Sequence, residues 1–245
     1  MQRARRLASV AVVASLAVAG LTACRSAPST AAYIGSGAGA AKVSQNDVEA
    51  IYKDSKLNGT EARTATDGSI TPPAQHTRQQ IVDTMVGLDV FRAYGKANNI
   101  TPQAVAADQM ATSMFLKPGA KFVPLYAEYE GYLEAAGAKV APQQVTEADV
   151  RDIFNRLTAA GILGNTTFET WVGGISQQLQ QLLAQRIALK KAIEPVAAKM
   201  DIVVNPRYSS SISLLETYDP QGKPFSVLDV PVGDPADGVP VTAAG

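Results

Sequence analysis

The sequence predicts a mainly α-helical fold: a helical bundle with a small N-terminal hairpin that pairs with one late strand. Apolar residues recur at helical spacing from Ser44 to about Pro195, and Ser or Thr residues stand where helices should begin. One short β-branched segment, "MDIVVNPRY", follows the helices. An isolated strand would leave its backbone groups unpaired, so we expect its partners to be the extended segments at the N-terminus.

The first 23 residues resemble a bacterial lipoprotein signal peptide. Arg3, Arg5 and Arg6 precede an apolar run from Leu7 to Gly20, which is shorter than the roughly 20 residues of a membrane-spanning helix. The run ends in "LTAC", which resembles the lipobox, where a cysteine receives a diacylglycerol and the chain is cut before it. Cys24 is the only cysteine of the chain. We therefore expect a lipid anchor at Cys24 on the extracytoplasmic face of the cell membrane; an ordinary secretory signal is the alternative.

These features divide the chain into four predicted segments. They are a signal peptide (1–23), a lipidated tether (24–32), a helical domain (33–209) and a loose or disordered tail (210–245) that is rich in proline, glycine and aspartate. Without the three arginines of the signal peptide, 19 basic residues face 22 acidic ones, so the mature chain carries a charge of −3. This balance favours neither nucleic acid nor an anionic membrane surface as a partner.

Start signals and apolar spacing divide the domain into six helices. In order, they are a helix after Ser44-x-x-Asp47, a helix over Thr77–Asn98, a helix opened by Thr101-Pro102, a helix over Phe122–Ala136, a helix after Thr146-x-x-Asp149, and a long helix from Thr166-x-x-Glu169 to Pro195 or slightly beyond. A strand stopped by Asn205-Pro206 then closes the domain.

The stretch "YIGSGAGAAKV" contains the spacing of a dinucleotide-binding loop. Gly35, Gly37 and Ala40 fit G-x-G-x-x-A, but no second strand with an acidic end follows. The helix signal is Ser44, so the glycine amides would not lie at a helix start, where a pyrophosphate binds. We interpret the stretch as a hairpin with a loose Gly/Ala loop and expect no nucleotide.

The order of these elements resembles the SurA N-terminal-like family of periplasmic and cell-surface chaperones. The likeness covers residues 31–209 and includes "AYIG…KVSQNDVEAIY", "VTEADVRDIF" and the closing Asn205, Pro206, Arg207 and Tyr208. An enlarged opening turn and Ser209, in place of the usual glycine, depart from the family pattern. The resemblance implies a SurA N-terminal-domain-like bundle whose two ends meet, and a chaperone activity.

Residue types that support catalysis are scarce. His76 is the only histidine, and its position beside "TPPAQ" predicts an exposed loop residue. Without a second histidine or a free cysteine, the usual zinc ligand sets cannot be assembled. Only 37 residues follow Tyr208, too few for the parvulin isomerase domain that many SurA-type chaperones carry. We expect no cofactor, no metal and no enzymatic activity.

Binding of unfolded or extended exported polypeptides is the function that the sequence favours. Methionine adapts to different apolar partners, and tyrosine adds flat apolar area with one polar end. The candidate peptide-binding residues lie in the second to fourth helices and are Met85, Met110, Met114, Phe115, Tyr126, Tyr129 and Tyr132. The hypothesis is an ATP-independent holdase. The alternative is a non-catalytic scaffold or accessory lipoprotein of one envelope complex.

Overall fold

A computed structural model describes residues 29–35, 40–64, 70–71 and 73–233. About half of these residues are helical, in seven helices, and the rest includes small antiparallel sheets, so the fold is mixed rather than purely helical. The expectation of a mainly α fold is therefore met only in part. Cys24, the signal peptide and Gly37 lie outside the described residues.

The N-terminal hairpin and the late strand form one three-stranded antiparallel sheet. Strands β1 (Thr30–Ile34), β2 (Ala41–Ser44) and β5 (Ile202–Val204) lie in the order β2-β1-β5, with Ala32 opposite both Val43 and Val204. The strand pairing expected from the sequence is confirmed. β1 and β2 are antiparallel neighbours, whereas the dinucleotide-binding motif has parallel strands joined through a helix.

Side chains of the Asn-Pro-Arg-Tyr segment fasten the two ends of the domain together. The Asn205 side chain donates to the carbonyl of Thr30 over 3.0 Å and accepts from the amide of Arg207 over 3.1 Å. The Tyr208 hydroxyl lies 2.9 Å from Oε1 of Gln45, at the start of the first helix. The side chains of this motif therefore connect the late strand to the N-terminal elements through hydrogen bonds.

Three of the seven helices begin at caps predicted from the sequence. The side chains of Ser44, Thr77 and Thr146 accept hydrogen bonds from the first-turn amides, and Thr146 forms a full capping box with Asp149. The seven helices are α1 (Gln45–Leu57), α2 (Arg78–Asn98), α3 (Ala107–Ser113), α4 (Phe122–Gly137), α5 (Glu147–Ala159), α6 (Phe168–Gly173) and α7 (Gln177–Ala197). Two-residue strands β3 (Arg63–Thr64) and β4 (Ile70–Thr71) pair between α1 and α2.

The third helix does not open at Thr101-Pro102, as the sequence predicted, but at Ala107. Residues 101–106 instead lie without helical structure along α4, and the amide of Gln103 donates to the carbonyl of Gly131 over 3.0 Å. Gly131 has no Cβ, and one added there would collide with the backbone oxygen of Gln103. Close backbone packing against a glycine therefore outweighs the local helix signal.

The predicted sixth helix is two helices, and the first of them is capped by Thr167 instead of the predicted Thr166. α6 ends at Gly173, and Ser176 caps α7 by accepting from the amide of Leu179. The break coincides with Gly173-Gly174, since glycine lowers helix stability and a serine offers a new cap. α7 then continues through Pro195 to Ala197.

The expectation of a loose tail from residue 210 is wrong as far as residue 231. Strands β6 (Ser211–Tyr218) and β7 (Pro224–Pro231) form an antiparallel hairpin, which we call the C-terminal hairpin. Its turn explains the composition: Asp219 accepts from the amides of Gln221 and Lys223, and Gly222 has a φ of +76°. Residues 234–245 of the predicted tail lie outside the described part of the chain.

The C-terminal hairpin completes the core rather than covering it loosely. Ile212 is fully buried and packs over Gly87 in the middle of α2, where a Cβ would lie 3.5 Å from Cγ2 of Ile212. The Tyr129 hydroxyl on α4 donates to the carbonyl of Ser213. Arg156 on α5 pairs with Asp229 on β7 over 3.0 Å. The hairpin thus contacts α2, α4 and α5, and it also packs against α7.

Candidate functional site

The seven residues proposed from the sequence do not form one open surface. Met110, Met114, Phe115 and Tyr129 are buried in the core, so in this structure they offer no surface to a peptide. Met85, Tyr126 and Tyr132 are half-buried and pack against the same core. Tyr132 stacks on Phe91 with ring centroids 6.4 Å apart. The methionine and aromatic spacing therefore marks core packing.

An open apolar groove lies elsewhere, between the loop before α5, α6 and the first half of α7. It encloses about 520 Å³, and none of its lining residues is charged. Its apolar lining consists of Val145, Val150, Val172, Ile175, Leu183 and Ala184. Exposed glutamines complete the lining: Gln143, Gln144, Gln177, Gln180 and Gln181. We call this feature the glutamine groove.

The glutamine side chains leave hydrogen-bonding capacity toward solvent. Gln143 accepts from Lys191 over 2.7 Å, and Gln180 donates to the carbonyl of Ile175 over 3.2 Å. Within the described residues, the side-chain amides of Gln144, Gln177 and Gln181 make no hydrogen bond. A primary amide both donates and accepts, so this lining can pair with peptide N–H and C=O groups.

A half-buried aromatic cluster stands beside the groove. Phe154 contacts Phe168 edge-on at 5.4 Å and Trp171 at 5.7 Å, and the guanidinium of Arg151 lies 4.0 Å from the centre of the Phe168 ring. No residue of α6 is fully buried. This helix therefore rests on aromatic and cation–π contacts at the surface instead of a deep core.

The glutamine groove was not predicted from the sequence, because the prediction relied on methionine and aromatic residues and the lining of the groove contains neither. The signal was the segment "ISQQLQQLLAQ" from Ile175 to Gln185, which carries five glutamines and no charged residue. Exposed helical positions normally include charged residues. An uncharged polar face on a long helix could have indicated a surface suited to a neutral partner.

A second cavity of about 590 Å³, the carboxyl cleft, separates the bundle from the C-terminal hairpin. It lies between the start of α2, the end of α5 and the hairpin, and its charged lining residues are Asp83, Arg156, Glu216, Asp219, Lys223 and Asp229. Asp83 accepts from Gln79 over 2.6 Å, and Gln79 also accepts from the amide of Ser209 over 2.7 Å. Carboxyls from the bundle and from the hairpin thus meet across this cleft.

Burial is the main influence on these carboxyls. It raises the pKa of Glu216 to about 7, with repulsion from Glu130 adding to the shift and the hydrogen bond from Gln80 opposing it. Burial also raises the pKa of Asp83 well above its usual range, and repulsion from Glu216 and Asp229 adds to this effect. The pKa of Glu130 on α4 is raised for the same reason, although Arg186 lowers it.

His76 is buried, with 5% of its surface exposed, so the expectation of an exposed histidine is wrong. Its Nε2 lies 2.8 Å from the carbonyl oxygen of Met114, and its Nδ1 lies 3.0 Å from Oε1 of Gln80. Gln80 in turn donates from Nε2 to Glu216 over 2.9 Å. The ring of Phe122 packs edge-on against the imidazole at 5.4 Å. A continuous hydrogen-bonded chain therefore links α3, through His76 and α2, to the C-terminal hairpin.

Neither site has the composition of a metal centre. Within the described residues, no group of three or more His, Cys, Asp and Glu side chains is arranged to hold a metal ion. Among the same residues, no helix has both the length and the apolar character needed to cross a membrane.

The chain matches no protein-family model, no curated protein and no solved structure. The chemistry of the glutamine groove and of the carboxyl cleft, together with the sequence, therefore has to indicate the function.

Proposed function

We propose that this protein is a lipid-anchored, extracytoplasmic, ATP-independent chaperone of the holdase type, which binds unfolded or extended exported polypeptides in the glutamine groove. The observation that carries the proposal is the groove itself: an uncharged cavity with apolar residues and exposed amides along its lining. Apolar client side chains would bury against Val172, Ile175 and Leu183, and the amides would bond to the client backbone.

The composition of the groove favours the binding of clients with many different sequences. A specific partner is normally recognised through charged pairs or a deep hot-spot pocket, and the glutamine groove has no charged lining residue. Backbone groups are common to every extended segment, so recognition through amides tolerates many sequences. The resemblance to SurA-type chaperones in the opening hairpin and in Asn205–Tyr208 is consistent with the same function.

A lipid on Cys24 would keep the domain near the membrane. β1 begins at Thr30, so five residues separate the cysteine from the folded domain. Fully extended, they would span about 18 Å at ~3.5 Å per residue. The groove would then work close to the bilayer, where exported chains emerge.

The test is aggregation suppression by the mature chain, residues 24–245, with Cys24→Ser to prevent lipidation. We expect suppression for several unrelated unfolded clients at near-stoichiometric ratios. The combined change Gln177→Glu and Gln181→Glu places two charges in the groove and should weaken suppression at least tenfold. Gln103→Glu, at an exposed position outside the groove, is the matched control and should act like the wild type.

Two results would contradict the proposal. If the groove variant suppresses aggregation as well as Gln103→Glu, the glutamine groove is not the client site. If no client is protected and one defined envelope protein is captured instead, the chain is the scaffold or accessory lipoprotein that forms the alternative.

A further inference from the structure

The hydrogen-bonded chain through His76 requires a minimum number of protons. Its members are the Met114 carbonyl, the His76 imidazole, the Gln80 amide and the Glu216 carboxyl. Each of the three links needs one donor and one acceptor, because two acceptors that face each other in a buried site are unfavourable. Met114 can only accept, so the donors must come from the other three groups.

Two arrangements satisfy all three links with the fewest protons. In the first, Gln80 donates to an ionised Glu216 and its carbonyl faces Nδ1, so both imidazole nitrogens must carry protons. In the second, the Gln80 amide is reversed: it donates to Nδ1 and accepts from a protonated Glu216, while Nε2–H of a neutral His76 donates to Met114. Both arrangements contain the same number of protons.

Each of the two arrangements contains one proton more than the combination of a neutral His76 and an ionised Glu216. When the extra proton is lost, at least one link contains two facing acceptors, whichever way the imidazole and the amide are oriented. The Tyr126 hydroxyl, 3.4 Å from Oε2 of Glu216, adds a donor at the end of the chain but cannot repair the inner links. The chain is therefore complete only while it holds the extra proton.

No cationic side chain among the described residues is paired with Glu216 to balance its charge once the proton is lost. Within the described residues, Asp83, Glu130 and Glu216 form no salt bridge, whereas Arg156 is paired with both Asp152 and Asp229. The charged and titratable groups that surround the cluster are Asp83 on α2, Tyr126, Tyr129 and Glu130 on α4, Arg156 on α5, Arg186 on α7, and Tyr218, Asp219, Lys223 and Asp229 on the hairpin. Ionised carboxyls on both sides of the cleft would repel one another.

The C-terminal hairpin forms a sheet of its own. Among the described residues, β6 and β7 pair only with each other and with no strand of the three-stranded sheet. Polar contacts to the bundle include the Gln80–Glu216 bond, the Tyr129 hydroxyl on Ser213 and the Arg156–Asp229 pair. Gln75, just before α2, also donates from its amide and its side chain to the carbonyls of Gly222 and Gln221 in the hairpin turn. A change at Glu216 therefore acts directly on one of the polar contacts between the hairpin and the bundle.

We propose that the C-terminal hairpin is a proton-controlled latch, docked on the bundle while the His76–Gln80–Glu216 chain holds its extra proton and loosened when that proton is lost. Loosening would uncover Ile212 and the Gly87–Tyr129 surface beneath it, which is apolar and now buried. The raised pKa of Glu216, about 7, places the transition near neutral pH. The latch does not depend on the proposed polypeptide binding.

The experiment uses the single histidine as its reporter. The mature chain with Cys24→Ser and no added histidine is labelled with ¹⁵N, and the imidazole signal of His76 is followed from pH 5.5 to 8. Amide hydrogen exchange of residues 211–231 is measured over the same range and corrected for the intrinsic effect of pH. We expect hairpin protection to fall on the order of tenfold or more, with the same midpoint as the His76 signal, while the centre of α2 stays protected.

Glu216→Gln is the decisive variant because its amide can donate to Gln80 at every pH. In this variant the hairpin should stay equally protected at pH 5.5 and 8. Glu61→Gln, at an exposed position, is the matched control and should follow the wild type. Equal hairpin protection at both pH values in the wild type would overturn the latch. So would loss of protection in hairpin and α2 together, different midpoints for the two readouts, or an unchanged pH response in Glu216→Gln.

Discussion

Gly87 tests the packing of the C-terminal hairpin on the bundle. It lies in the middle of α2, where an alanine would normally stabilise the helix by about 1 kcal/mol. A Cβ at this position would lie 2.6 Å from Cε2 of Tyr129, about 1 Å closer than ordinary contact. The Tyr129 ring is buried between Phe91 and the hairpin, and its hydroxyl is bonded to Ser213, so it has little room to move.

We therefore expect Gly87→Ala to destabilise the domain. Overpacking of this kind costs roughly 1–3 kcal/mol, and the gain in helix propensity offsets part of it. The net loss should be about 1–2 kcal/mol, which corresponds to a fall in Tm of roughly 3–6 °C for a domain of this size. Urea denaturation followed by circular dichroism measures the change in the free energy of unfolding. Gly173→Ala, where a Cβ meets nothing within 4 Å, is the control and should show no loss.

A second substitution separates the clash from other effects. Tyr129→Leu removes the ring atom that the new Cβ would meet, at its own cost in stability. On this background Gly87→Ala should cost nothing or be stabilising, so the double-mutant cycle should give a coupling energy of about 1–2 kcal/mol. If Gly87→Ala is harmless in the wild type, or equally harmful in both backgrounds, the three-way contact of Gly87, Tyr129 and Ile212 is incorrect.

Three further predictions concern other parts of the fold. Gly131→Ala should lower the free energy of unfolding by about 3 kcal/mol, because the new Cβ meets the rigid backbone oxygen of Gln103 and not a side chain that can move; a loss below 1 kcal/mol by urea denaturation would contradict this packing. Ser44→Ala removes the cap of α1 and should cost about 1 kcal/mol in the same assay, whereas Ser44→Gly should cost only a few tenths. The stability of the wild type should fall by about 2 kcal/mol from pH 5.5 to 8: burial raises the pKa of Glu216 from 4.5 to about 7, so the folded state binds more protons than the unfolded state across this window and loses that advantage as the pH rises. Stability that rises over the same range would refute the assigned direction.

Local signals explain most of what could be predicted from the sequence. Ser44, Thr77 and Thr146 cap helices through their own side chains, so a few neighbouring residues determine where these helices begin. The pairing of β5 with β1 is a long-range contact, but it was predictable because a short strand needs a partner and the N-terminus held the only candidates recognised. Thr101 is the opposite case: its local sequence predicts a helix start, but packing against Gly131, which is distant in the sequence, keeps residues 101–106 out of a helix.

The C-terminal hairpin was not predicted, because the overall composition of residues 210–245 indicates a loose tail. The alternation of apolar and polar residues in its two strands is the signal that indicates a hairpin. Proline, glycine and aspartate are concentrated in its turn and beyond Val232, whereas Ile212, Leu214 and Val230 are buried strand residues. The error at His76 has a different cause. Its position beside "TPPAQ" predicts an exposed loop, whereas its partners are the Met114 carbonyl and the Gln80 side chain, and the sequence gives no local sign of the contact with Met114, which is 38 residues away.

The glutamine groove and the latch share one element, and this affects how both should be measured. Val150 of α5 lines the groove, and Arg156 of the same helix pairs with Asp229 on the hairpin. The two residues are about 9 Å apart along the helix at 1.5 Å per residue. Ile153 and Leu157 are the buried residues of α5, and the ion pair to the hairpin adds a further contact that holds this wall of the groove. Client binding should therefore be compared at pH 5.5 and 8 in Glu216→Gln as well as in the wild type, since only a variant with a docked hairpin at both pH values separates the chemistry of the groove from movement of its wall.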